Sequence, residues 1–255
     1  VDDLLRPIFE RVNRKVECIF ELGIENQFEQ LSSLYESVRN GLKLFMGTSA
    51  GWPWLGEYAI FYILKLHLEK ILDCSFTLSK KPKDGFTGAI IPFVDSTDEA
   101  EYFLVHNGGL RLADSKTYSK TKDVRPDVYL QKRYDKHSYE LIFTIDVKVK
   151  ITGTYALSNA LSKLKRTISD SKWIFDNTPK PLGYLMSLDS SFPSNHEKVH
   201  KYQESGVSIV GPKTTVDNTG SSQISSIAHK LNNGNYPMTT FEECISQIQS
   251  RLRFT

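Results

Sequence analysis

The sequence predicts an α/β domain, and three observations carry that prediction. Hydrophobic periodicity switches between helical spacing and short apolar or alternating runs along the chain. From residue 53 onward the order is helix, strands, helix, strand, helix, strand, which is a layered α/β arrangement. The 255 residues are 40% hydrophobic and 24% charged, enough for one sizeable core and too polar for a membrane-embedded chain.

Taken in order, residues 3–22 place Leu4, Ile8, Val12, Val16, Ile19 and Phe20 at helical spacing. Residues 27–45 do the same with Phe28, Leu31, Leu34, Val38 and Leu42, so residues 1–47 read as an N-terminal helical hairpin. Gly47 and Gly51 break it, and Pro53 suits the first turn of a third helix running to Leu72. GAIIPFV and EYFLVH are short strand candidates within a mixed stretch, residues 73–125. PDVYL is a strand, QKRYDKHSY a polar connection, and ELIFTIDVKVKI alternates for twelve residues. Residues 155–175 form a helix with Leu157, Leu161, Leu164 and Ile168 on one face. PLGYLMSLD and GVSIVGP are buried strands on either side of a short helix at 194–204. The α/β core thus spans 48–213, and 214–255 is a helical extension with helices near 224–231 and 240–252.

Net charge is only +2, which argues against a general polyanion binder, but the charge is unevenly spread. Residues 1–40 carry 5 basic and 8 acidic groups, residues 111–150 carry 10 and 6, and residues 155–213 carry 8 and 5. Positive potential therefore gathers in the later segments, where a phosphate backbone could be met. The three cysteines are widely spaced, as expected of buried thiols in a reducing compartment. The opening VDDLLRPIFERVNRK has no apolar signal region, so a cytoplasmic setting is expected.

One cluster points to chemistry. Alternation along 140–151 puts Leu141, Phe143, Ile145, Val147, Val149 and Ile151 on one face, and Ile142, Thr144, Asp146, Lys148 and Lys150 on the other. In the strand before it, Asp127 and Tyr129 share a face. Paired as a hairpin, the two strands would let Asp127 face Asp146 beside Lys148. Two carboxylates beside a lysine make a site for a hard divalent cation, with the lysine able to orient water or offset phosphate charge. Three D-x-K triplets occur, beginning at Asp114, Asp146 and Asp170, and only the middle one lies in an apolar strand preceded by a Pro-Asp strand.

Pro126-Asp127, eighteen intervening residues and Asp146-Val147-Lys148 resemble the PD-(D/E)xK signature of restriction-endonuclease-like nucleases. The resemblance covers about residues 50–212, including the order of elements. It implies a restriction-endonuclease-like core, a central mixed sheet flanked by helices, with helical additions at both ends. It further implies a Mg²⁺-dependent DNA endonuclease, with Mn²⁺ able to substitute, in the setting of a type II restriction enzyme in a prokaryotic cytosol. Asp127, Asp146 and the Val147 carbonyl would hold the metal, and Lys148 would act at the water and phosphate. Glu57 matches the carboxylate that the family often draws from its first helix. It stands in line with Phe61, Leu64, Leu68 and Ile71, a charge on an apolar stripe. Lys150, Lys163, Lys165 and Arg166 are candidate contacts to double-stranded DNA. A homodimer is expected, because two-fold DNA symmetry matches two-fold protein symmetry, with the N-terminal hairpin as its candidate surface.

His196-Glu197-Lys198-Val199-His200 spells H-E-x-x-H, the zinc-peptidase pattern of two histidine ligands and a glutamate base. The lysines within and after it, and Pro193 just ahead, disfavour a buried zinc helix. A non-catalytic nucleic-acid-binding module on a nuclease fold is a further alternative, which the Asp, Asp and Lys set disfavours.

Overall fold

The computed structural model describes residues 2–46, 53–78, 93–95, 102–106, 126–134, 139–148, 154–170, 180–188, 207–211 and 238–253. Among these, helices α1 (Asp2–Phe20), α2 (Ile24–Met46) and α3 (Pro53–Leu72) precede strands β1 (Phe76–Leu78), β2 (Phe93–Asp95), β3 (Tyr102–His106), β4 (Val128–Arg133) and β5 (Tyr139–Lys148). Helix α4 (Thr154–Asp170), β6 (Leu182–Ser187), β7 (Val207–Val210), β8 (Met238–Thr239) and α5 (Phe241–Arg253) follow. The expected helices at 194–204 and 224–231 lie outside the described residues.

The strands form one mixed sheet in sequential order. Strands β1 to β5 are an antiparallel meander, and β5 to β8 run parallel. The turn from antiparallel to parallel at β5 demands a crossover, and α4 supplies it between β5 and β6.

Two apolar clusters cover the two faces. On one, α1, α2, α3 and α5 gather over Val128, Leu130, Phe143, Ile145, Val147, Tyr184 and Met186. On the other, Leu157, Ala160, Leu161, Leu164 and Ile168 of α4 pack on Leu185, Val207 and Ile209. With helices on both sides, β5 is buried on both faces, so its polar residues are interior groups and not a solvated edge.

Helix α3 lies at the centre of the larger cluster, with Ile60, Phe61, Ile63, Leu64 and Leu68 all buried. Gly56 allows its close approach: a Cβ there would stand 2.6 Å from Leu188 Cδ1 and 3.1 Å from the Tyr35 ring. The helix ends at Asp73, whose φ of 50° is the left-handed stop that glycine more often provides. Gln27 fixes the α1–α2 turn. Its amide donates to the Phe20 and Leu22 carbonyls, and its Oε1 is 2.7 Å from His67 Nε2. An acceptor there selects the His67 tautomer with the proton on Nε2. Burial, with help from Lys70, lowers the His67 pKa to about 4, so the ring stays neutral. At α5, Thr240 and Glu243 form a reciprocal capping box.

Three expectations need correction. The QKR segment is not a connection: it is the second half of β4, where Gln131 and Lys132 are buried and the Lys132 ammonium lies over the Tyr102 and Tyr134 rings. Alternation along β5 is not strict. Leu130 pairs with Phe143 but Gln131 pairs with Leu141, so Ile142 is an extra, bulged residue. Ile142 therefore joins Phe143 in the larger cluster, not the polar face. Burial of the thiols holds for Cys244 alone; Cys74 is intermediate and Cys18 is exposed on the outer side of α1. The helix after β5 is described over Thr154–Asp170, and residues 171–175 of the expected helix lie outside the described residues. No helix among the described residues is long and apolar enough to cross a membrane.

The bulge also turns Glu140 toward α5. Glu140 is fully buried and pairs with Arg251, while the Tyr134 hydroxyl donates to its second oxygen. Removing one partner of such a pair leaves an uncompensated interior charge. Arg251→Met should therefore lower stability by roughly 3–5 kcal/mol. Glu140→Leu combined with Arg251→Met should recover most of that loss, as measured by urea denaturation of the single and double variants.

Candidate active site

Asp127 lies one residue before β4, and Asp146 lies near the end of β5. Val128 pairs with Ile145, and the Asp127 N–H donates to the Ile145 carbonyl at 3.1 Å, so the two aspartates fall side by side. Both point to the α4 face, since Val128 and Ile145 take the opposite one. Their burial is nearly complete: Asp127 is 7% exposed and Asp146 is 0%.

Two ammonium groups hold this pair. Lys148 Nζ is 2.6 Å from Asp146 Oδ2 and 3.7 Å from Asp127 Oδ2. Lys163, reaching down from α4, is 2.7 Å from Asp146 Oδ1 and 3.4 Å from Asp127 Oδ1. Each lysine thus spans the two carboxylates, one on the Oδ2 oxygens and one on the Oδ1 oxygens. The Val147 N–H adds a 2.7 Å bond to Asp127 Oδ2, and Lys148 Nζ lies 3.4 Å from the Val147 carbonyl. The arrangement is four charges in a square, with both lysine heads about one-third exposed and the carboxylates beneath them.

The electrostatics follow from burial. Asp127 loses hydration and sits beside a second carboxylate, which together push its pKa up from 3.8 to about 7. Lys163 and Lys148 oppose that rise, and the charge of Glu57 adds to it. Burial alone would depress Lys163, but Asp146 and Asp127 outweigh it and hold its ammonium above the ordinary value.

Asp127, Asp146, Val147 and Lys148 are brought together as the residue pattern suggests. Glu57 is not brought into contact with the pair. Helix α3 packs on the opposite face of the sheet, and Glu57 Oε2 faces the buried ring of His106 at 3.6 Å, near the end of β3. Glu57 acts on Asp127 through its charge. Lys163 is turned into the site and paired with Asp146, while Lys165 and Arg166 on the same helix are exposed. Lys150 and the His196, Glu197 and His200 motif lie outside the described residues.

Two participants were missed in these roles. Lys163 is bracketed by Ala160 and Thr167, both buried, and the Thr167 hydroxyl donates to the Lys163 carbonyl. Residues 160, 163 and 167 share a helical face, so the small residues on either side were a readable sign that this lysine points inward. His106 carried no comparable sign, since it closes an apolar strand whose facing helix is distant in sequence.

Among the described residues no three His, Cys, Asp or Glu side chains converge as a metal cage. Two carboxylates and a backbone carbonyl nonetheless suit Mg²⁺, which keeps several waters and commonly uses one or two protein carboxylates with substrate phosphate. The donor set fits a hard cation.

The raised Asp127 pKa fixes the sign of a pH dependence. The folded state retains a proton that the unfolded chain releases above 3.8. The associated stability is therefore fully present below 3.8 and is lost as pH rises through about 7. Asp127→Asn should flatten the decline across this window, read from urea midpoints measured without divalent ions at successive pH values.

In comparison with known proteins, no family model, curated protein or solved structure matches the chain.

Proposed function

We propose that the protein is a Mg²⁺-dependent endonuclease that hydrolyses DNA phosphodiester bonds on a restriction-endonuclease-like core. The observation that carries this reading is the side-by-side burial of Asp127 and Asp146 with Lys148 across both. Burying two adjacent carboxylates is costly and contributes little to a core that apolar groups could fill. Retaining them is understandable where a cation must be held. The order α3, β3 to β5, α4, β6, with the carboxylates at the β4–β5 pairing, further supports the nuclease resemblance.

In this reading Asp127, Asp146 and the Val147 carbonyl would hold the metal, which when bound supplies Lewis-acid stabilisation of the phosphate and a more acidic water. The protein's own groups do the rest. Lys148, fixed on the strand, offsets charge that grows on the attacked phosphate and orients the water. Glu57, 3.6 Å from the His106 ring, adds negative potential at Asp127. Lys165 and Arg166 project from α4 into solvent, where they can meet the flanking DNA backbone. The finer part of the proposal is a sequence-specific type II restriction enzyme acting as a homodimer on double-stranded DNA.

Lys148→Ala should lose about 10²–10³ in cleavage rate, because its charge matters most when the phosphate is attacked. Folding should persist, since Phe143, Ile145 and Val147 carry the packing of β5. DNA affinity should change little, one phosphate contact being removed from many. The measurement is plasmid cleavage in Mg²⁺ and in EDTA, alongside gel-shift affinity in Ca²⁺. Cleavage by Lys148→Ala at the wild-type rate, or wild-type cleavage undiminished in EDTA, would remove the assignment.

A further inference from the structure

We infer that Lys163 is an internal counter-cation: it occupies the carboxylate oxygens that a divalent ion would take, and it must swing away for the ion to bind. The inference rests on the metal-site reading given above and assigns the chain a residue that sets metal affinity.

The four carboxylate oxygens are not equivalent. Asp127 Oδ2 already accepts from the Val147 N–H at 2.7 Å and lies 3.7 Å from Lys148. Asp146 Oδ2 is held by Lys148 at 2.6 Å. The Oδ2 side is thus fixed by groups of β5 itself. On the Oδ1 side, Lys163 meets both Asp146 and Asp127, at 2.7 and 3.4 Å. The Oδ1 pair is where an incoming cation finds two oxygens with no backbone donor among the described residues.

Charge points the same way. Once both carboxylates are ionised, two ammoniums offset them, so a divalent ion added to the intact square would leave a surplus of +2 in a poorly hydrated place. Release of one ammonium relieves it. The two lysine side chains are about equally exposed, 33% for Lys148 and 30% for Lys163, but Lys148 sits on the strand that carries Asp146, whereas Lys163 approaches from a separate helix. Rotation of that side chain returns the ammonium to water without moving the backbone. It stays protonated throughout, and no bond is made or broken. The freed ammonium then stands beside the site, next to the exposed Lys165 and Arg166, within the positive surface that meets phosphate.

Ca²⁺ alone, titrated calorimetrically into the full-length protein without DNA, tests this. Lys163→Met keeps the length of the side chain and removes the competing charge. It should bind Ca²⁺ roughly tenfold or more tightly than wild type, and its thermal midpoint should rise more with added Ca²⁺. Lys163→Arg keeps the competitor and should bind no more tightly than wild type; it also serves as a folded reference if the methionine variant is destabilised. Asp146→Asn should abolish Ca²⁺ binding in both backgrounds. Equal Ca²⁺ affinity in wild type and Lys163→Met, with binding still lost in Asp146→Asn, would overturn the role of Lys163 and leave the metal site standing. Ca²⁺ binding that survives Asp146→Asn, or none in Lys163→Met, would overturn the metal site itself and the role of Lys163 with it.

Discussion

The hydrogen bond from the Val147 N–H to Asp127 Oδ2 closes a gap in the sheet. Strand β4 begins at Val128, so beyond Ile145 the edge of β5 facing it has run past its backbone partner. The carboxylate of Asp127 takes the place of the missing carbonyl at 2.7 Å. One side chain thereby completes the β ladder and is itself locked beside Asp146. The position of both lysines relative to the carboxylates depends on this lock. A slip of one residue in the β4–β5 register would send Asp146 to the α3 face, into the apolar cluster built on Phe143, Ile145 and Val147. The same core packing that stabilises the sheet therefore protects the geometry of the site.

Burial gives the site its character and its tension. Placing Asp127 and Asp146 together away from water disfavours two negative charges, and the lysines answer with two positive ones. Neither lysine is deeply buried, so each keeps part of its hydration while neutralising a carboxylate that has lost its own. A site of this kind is held together by opposing charges whose balance any entering ion must disturb.

Much of the fold was legible because periodicity reports burial. Helix α3 is bounded as the Pro53 start and apolar stripe indicate, and the strands at 182–187 and 207–210 lie within the expected apolar runs. The parity argument also placed Asp127, Asp146 and Lys148 on a common side of the pairing. It failed toward the start of β5, because a bulge at Ile142 is decided by the pairing partner and not by the strand's own letters. The second half of β4 was missed because Gln131, Lys132 and Arg133 look like a loop. The charged heads of Lys132 and Arg133 are accommodated by the Tyr102 and Phe103 rings of β3, a tertiary arrangement that no local window contains. Lys163 was singled out, and the small Ala160 and Thr167 on its face mark its inward direction, but which groups it meets depended on how α4 crosses the sheet.

The Glu140–Arg251 pair links residues 111 positions apart. During synthesis β5 leaves the ribosome long before Arg251 is made, so Glu140 exists for a time without its counter-charge. Through that interval Glu140 keeps its water, which opposes sealing that end of the sheet. The larger cluster also awaits Phe241, Cys244, Ile245 and Ile248 of α5. Vectorial folding is thus held open at one end of β5 while the meander and α4 can already assemble at the other. Docking of α5 is the step that expels water from around Glu140 and converts a loosely closed sheet into the finished core.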